Sequence, residues 1–162
     1  MWKILICDDD KNICSVLKTM INKQLKDCHI ELAFTGNECI DICSRLIPHI
    51  AIIDINLPDM SGRDVCINLR EEILTQQIAI LMITGAVNNG DAKLQSLEAG
   101  ADAFLYKPIE YAQFISQIKV LMRCKIAEDE IRHRACRKDI HLKKLRILTR
   151  QLCETTVNIQ KG

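Results

Sequence analysis

At 162 residues and 48% hydrophobic, the chain is long enough for one full domain plus an appendage. It has no apolar run of about 18 residues or more and no signal-peptide pattern, so it reads as soluble and cytoplasmic. The net charge of +1 is divided: residues 1–122 carry 11 Lys+Arg against 16 Asp+Glu, and residues 123–162 carry 11 against 5. An acidic globular part at 1–122 and a basic extension at 123–162 are therefore expected. The nine cysteines are odd in number and contain no Cys-x-x-Cys pair, and the four histidines are scattered. That argues against a disulfide framework or a zinc site and for reduced cysteines acting as small apolar residues.

Strand and helix patterns alternate five times. The first strand is expected over residues 3–7. A helix over 12–26 follows, with Ile13, Val16, Leu17, Met20, Ile21 and Leu25 on one face. A second strand spans 30–34. Thr35 and Gly36 lead into a second helix carrying Cys39, Ile40, Cys43 and Leu46, which Pro48 ends. The third strand, Ile50 to Asp54, precedes a loop rich in turn residues and a helix from Gly62 to about Ile73. A fourth strand covers 78–83. The segment from Gly85 to Gly90 has two Gly and two Asn and is expected to be the loosest part of the domain. A fourth helix over 91–99 stops at Gly100, a fifth strand spans 103–106, and Pro108 is expected to open the fifth helix. No Pro or Gly occurs from Ala112 to Val157, so that helix can run on past the domain. Strands one and three are apolar without alternation, as strands covered on both faces are. The pattern predicts an α/β, doubly wound parallel sheet.

Ligands of such sheets bind at the carboxyl ends of the strands. Asp8 and Asp9 end the first strand, Asp54 the third, Thr84 the fourth and Lys107 the fifth. Each alone is ordinary: a cap, a turn, a surface lysine. Together they suit a divalent cation and a phosphoryl group, because adjacent carboxylates repel and a cation relieves that repulsion. Pro108 also biases Lys107 to an extended backbone, which aims its side chain along the edge.

The segments Ile-Cys-Asp8-Asp9-Asp10, Ile-Asp54-Ile-Asn-Leu-Pro58-x3-Gly62, Ile-Thr84-Gly85 and Gly100-Ala101-Asp102-Ala103-Phe104-Leu-Tyr-Lys107-Pro108 occur in this order. In these, the chain resembles the receiver domain of bacterial two-component response regulators over residues 1–122. The resemblance implies a flavodoxin-like five-stranded sheet of order 2-1-3-4-5. It implies that Asp54 accepts a phosphoryl group from a sensor histidine kinase or phosphotransfer protein, with Mg²⁺ as cofactor. Asp9 and Asp54 would be direct ligands, Asp8 would act through water, and the Asn56 carbonyl would complete the set. Lys107 and Thr84 would contact phosphoryl oxygens. The switch would run through Thr84 and Phe104, since the reporting aromatic stands three residues before the lysine. Phe104 and Tyr106 should share a strand face opposite Leu105 and Lys107, and Phe104, lacking a hydroxyl, can only repack. Asp10 is not expected to be a ligand.

The basic extension carries Ile131, Ala135, Leu142, Leu145 and Leu152 at 3/4 spacing, interrupted by Lys138 and Thr149. It suits a helix that pairs two chains or leads to an output protein or domain. A nucleic-acid contact and a solvated helix are the alternatives; residues 123–162 lack the turn a helix-turn-helix needs. The overall expectation is a signalling switch rather than an enzyme. The rival is a phosphohydrolase of similar fold with an Asp nucleophile, which the Asn at position 56 disfavours because such chemistry needs a second acid there.

Overall fold

The computed structural model describes residues 1–85 and 90–159. Five strand–helix units follow one another: β1 (Trp2–Cys7), α1 (Lys11–Gln24), β2 (Cys28–Ala33), α2 (Gly36–Leu46), β3 (Ile50–Asp54), α3 (Gly62–Glu71), β4 (Ala79–Thr84), α4 (Gly90–Glu98), β5 (Ala103–Tyr106) and α5 (Tyr111–Ile159). The strands form one parallel sheet in the order β2-β1-β3-β4-β5. This is the flavodoxin-like, doubly wound arrangement, with a long C-terminal helix.

The sheet separates two cores, and strand alternation decides which side chain enters which. In β3, Ile50 and Ile52 join Ile4, Ile6, Leu81, Ile83 and Leu105 against α1 and the first turns of α5. Ala51 and Ile53 face the other way, with Leu5, Cys7, Ile80 and Met82 against α2 and α3. All five β3 residues are buried, which is why the strand is apolar throughout. Each such isoleucine contributes about 1.5–3 kcal/mol relative to exposure.

Side-chain caps start the helices where the site needs them. Asp10 accepts the Asn12 amide and begins α1 (2.8 Å). Thr35 accepts the Glu38 amide (3.1 Å) while the Glu38 carboxylate accepts the Phe34 amide (2.7 Å), a reciprocal cap on α2. Ser61 caps α3 through the Arg63 amide (3.2 Å).

Several boundaries differ from expectation. α1 stops at Gln24, not Lys26, because the Trp2 amide takes the Asp27 carbonyl (2.9 Å) and draws the chain into β2 two residues early. α3 ends at Glu71, since Glu72 is extended. Pro108 does not open α5. The Lys107 amide still donates to the Thr84 carbonyl (2.7 Å), so the chain stays at the sheet through Lys107, and α5 begins at Tyr111. The Lys107–Pro108 peptide is cis. The apolar stripe of α1 is wider than its buried face: Cys14, Leu17 and Ile21 are buried, whereas Val16 is half exposed.

The chain divides into two compact units, Met1–Arg123 and Cys124–Gly162. In the second unit Ile126, Ile131, Ala135, Lys138 and Ile140 are exposed. The side chains of Leu142, Leu145, Thr149 and Leu152 lie outside the described residues, as do residues 86–89 of the Gly85–Gly90 loop. Among the described residues no helix is long and apolar enough to cross a membrane.

Candidate functional site

Register brings the motif residues together. Cys7 pairs with Ala33 on one side and Ile53 on the other, Asp54 with Ile83, and Thr84 with Tyr106. The carboxyl ends of β1, β3, β4 and β5 thus lie side by side, and their last residues or the next ones along carry the polar groups.

Asp8 and Asp54 are buried and Asp9 is exposed, and one carboxylate oxygen from each lies within 4.8 Å of the others. Lys107 reaches across to both buried acids, with Nζ 2.7 Å from Asp8 Oδ2 and 3.0 Å from Asp54 Oδ1. The Asp8 contact is a hydrogen bond. The Asp54 contact is an ion pair, which leaves the buried Asp54 Oδ1 facing the Lys107 ammonium without a well-aligned hydrogen bond. The second Asp54 oxygen accepts the Asn56 amide (3.1 Å), which fixes the carboxylate rotamer. The Asp10 amide donates to Asp8 Oδ1 (3.0 Å). Asp10 itself is spent on the α1 cap and stands outside the cluster.

Electrostatics follow this geometry. Burial raises the Asp54 carboxyl above the usual aspartate range; Lys107 opposes the rise and Asp8 adds to it. Burial pulls Lys107 down, but Asp8 and Asp54 together outweigh it and leave the ammonium above its ordinary range. Lys107 is therefore charged at neutral pH.

The donor set fits a hard divalent cation. It offers three carboxylates, two of them buried and one with a buried oxygen that has no well-aligned hydrogen bond, and no described thiolate or imidazole belongs to the cluster. Asn56 adjoins it, held by its amide on Asp54 and by an antiparallel bridge to Ser61. The loop closes so tightly that a Cβ at Gly62 would land on the Asp54 carbonyl oxygen. This is the physical reason for glycine there.

Thr84 is buried at the end of β4. Phe104 is partly buried and packs on the α2/α3 side, its ring 4.9 Å from that of Tyr106 in an edge-on arrangement. Leu105 points into the opposite core, so the expected alternation in β5 is present.

Two supporting residues escaped the sequence reading. Asp59 in the β3–α3 loop accepts the Gly36 and Asn37 amides and the Asn37 side chain at the start of α2 (2.7, 2.9 and 2.9 Å). Arg70 of α3 binds the Gly100, Gln76 and Ile78 carbonyls and the Asp102 carboxylate (2.9, 2.9, 2.7 and 2.9 Å). Neither has a local signal, because an Asp in a turn and an Arg on a helix are commonplace.

Residues 4–119 match the family model of the response regulator receiver domain. The chain belongs to that family. It is 30% identical over 132 residues to the response regulator PleD of Caulobacter vibrioides, a match covering 82% of this chain and 28% of PleD. The chain thus spans less than a third of that relative's length. Among solved structures it is similar to a CheY-like receiver domain protein from Methanospirillum hungatei, at 28% identity and a TM-score of 0.72, covering 79% of this chain and 98% of that one. The BeF3-activated DrrB receiver domain matches at 25% identity and a TM-score of 0.67, covering 76% and 98%.

Proposed function

We propose that the chain is a phosphorylation switch in a two-component phosphorelay. Asp54 accepts the phosphoryl group from a phosphohistidine of a sensor kinase or phosphotransfer protein. One carboxylate oxygen of Asp54 attacks phosphorus, the N–P bond breaks, and the histidine nitrogen leaves with the bonding pair, giving an acyl phosphate. Mg²⁺ bound at Asp8, Asp9, Asp54 and the Asn56 carbonyl would supply charge neutralisation to the phosphoryl oxygens. Lys107 places its ammonium against another of those oxygens and Thr84 offers a hydroxyl. Phosphorylation shifts a two-state equilibrium in which Thr84 moves toward the phosphoryl group and Phe104 repacks behind it. The observation that carries the reading is the cluster itself: three carboxylates with one oxygen each within 4.8 Å of the others, the two buried ones bridged by Lys107. The BeF3-activated state of the similar DrrB domain supports it.

The phosphodonor approaches beside α1. A groove of about 250 Å³ is lined by Ile13, Val16 and Met20 of α1 and by Lys107, Pro108 and Ile109. Its apolar lining next to the lysine suits a helix that presents a phosphohistidine. The exchange is cytoplasmic, and the protein turns over no small-molecule substrate. Output passes to another protein or domain, or to a second copy through α5.

With Mg²⁺ and acetyl phosphate, the protein is expected to gain one phosphoryl group by intact-mass spectrometry, and Asp54→Asn to gain none. Equal labelling of the Asp54→Asn protein refutes the assignment.

A further inference from the structure

The loop joining Asp54 to α3 is held at two places, and only one belongs to the site. Its base is closed by the Gly62 amide on the Ile55 carbonyl (2.8 Å) and by the Asn56–Ser61 bridge. Its tip is held by Asp59. That carboxylate takes three donors from the start of α2: the Gly36 amide (2.7 Å) on one oxygen, and the Asn37 amide and Asn37 Nδ2 (both 2.9 Å) on the other. Next to it, Met60 lies against Gly36 so closely that a Cβ on Gly36 would collide with its side chain. α2 is itself anchored by its reciprocal Thr35–Glu38 cap and by the buried Cys39, Ile42 and Cys43. The tip is thus fastened to a rigid element, and the anion sits where the helix dipole favours it.

We propose that Asp59 is a positioning residue for cation binding: by latching the tip of the β3–α3 loop to α2, it sets the Asn56 backbone against Asp54. The inference rests on the reading of Asp8, Asp9, Asp54 and Asn56 as the cation site. Asn56 is three residues from Asp59 and is held by its amide on Asp54 Oδ2 and by the Ser61 bridge, both at the base of the loop. With the tip released, residues 57–60 are free to move, and the direction of the Asn56 peptide then rests on its Asp54 bond and the Ser61 bridge alone. A backbone ligand has no rotamer of its own, so its direction depends wholly on the loop that carries it. The latch also runs in reverse: a cation that orders Asn56 tightens the grip of Asp59 on α2, as reciprocal linkage requires.

The test uses the full metal-free chain and Mg²⁺ alone. Mg²⁺ affinity is measured by calorimetry for the parent, Asp59→Ala, Asp59→Asn and Thr75→Ala. Thr75 bonds the Leu69 carbonyl (2.8 Å) away from the site, so its variant controls for lost stability. Asp59→Ala is expected to weaken Mg²⁺ about tenfold or more, as loss of an outer support does. Asp59→Asn, which keeps one acceptor oxygen and the side-chain volume, should fall between, and Thr75→Ala should bind like the parent. In the absence of metal, hydrogen exchange at Gly36, Asn37 and residues 56–62 should quicken in Asp59→Ala and not in Thr75→Ala. If the parent binds Mg²⁺ and both Asp59 variants bind it equally well, the latch role is wrong and the site reading stands. If Thr75→Ala weakens Mg²⁺ as much as Asp59→Ala, the effect is general destabilisation and the latch role is wrong. If the parent binds no Mg²⁺, the site reading fails and the latch with it.

Discussion

Lys107 holds two buried carboxylates at once, and its removal separates the cost of that arrangement from its use. Asp8 and Asp54 would face each other without a cation, and stranding a buried charge in this way costs about 3 kcal/mol. The metal-free Lys107→Met protein is therefore expected to unfold at lower urea than the parent. Added Mg²⁺ should stabilise it more than the parent, because the ammonium no longer competes for the same oxygens. Phosphoryl acceptance should nonetheless slow, since one cation opposite the transferred group is gone. Urea titrations with and without Mg²⁺ decide it, and an equal Mg²⁺ response in both proteins counts against competition. Asp54 adds a pH dependence. Its carboxyl is raised by burial, so the folded state holds the proton more tightly than the unfolded chain. Stability is then greatest below the ordinary aspartate range and falls as pH rises through the raised value. Metal-free Asp54→Asn, which cannot ionise there, should be more stable than the parent at pH 7, with the gap closing as pH falls toward about 4. Lys107 keeps its Asp8 partner in that variant. A less stable Asp54→Asn protein at pH 7 would show that the buried charge is not a cost.

The elements converge on the site at one end of the sheet and are fastened at the other by Arg70. Its guanidinium ties α3 to the α3–β4 segment and to the turn before β5, and Asp102 relays the tie to the Ile80 amide (2.7 Å). Gly100 stands in the left-handed region at φ +99°, with Arg70 packed where a Cβ would point. Arg70→Ala leaves several carbonyls and a carboxylate short of a donor and should cost about 2–4 kcal/mol. Because the residue lies at the amino ends of the strands, Asp54 should still be phosphorylated at a temperature where the variant is folded. Chemical denaturation and the mass assay together check this. Loss of labelling in the folded variant would mean the two ends of the sheet are coupled.

At the scale of the whole molecule, the second unit is where the basic charge of the chain is concentrated. α5 continues to Ile159, and Ile126, Ile131 and Ile140 are exposed along it. If the seam through Ile131, Ala135, Leu142, Leu145 and Leu152 pairs two chains, the 11 basic residues of positions 123–162 repel across the pair. Salt screens that repulsion, so dimerisation should strengthen as ionic strength rises. Nucleic-acid binding would weaken instead. Sedimentation of the whole chain and of one ending at Met122, at low and high salt, distinguishes them. If both are equally monomeric, the pairing is wrong.

What the sequence determined by itself was the order of the elements and the residues at the strand ends. Apolar runs such as Ile50–Ile53 reflect burial on both faces, and Asp54, Thr84 and Lys107 each follow such a run, so local pattern was enough to place them. The glycine at 62 and the Lys107–Pro108 pair were legible for the same reason, as backbone requirements written in single residue types. That the strand-end residues share one edge was legible too, but the tertiary structure alone decided which of them bond one another and what supports them from outside. Nothing local indicates that Lys107 bonds Asp8, 99 residues away, or that Asp59 finds the Gly36 amide 23 residues back. It also decided that Asp8 is buried while its neighbour Asp9 is exposed, because adjacent residues leave a strand end in opposite directions. A pairing between distant side chains leaves no trace in periodicity; only the register of the sheet and the packing of α2 on it bring those atoms within bonding distance.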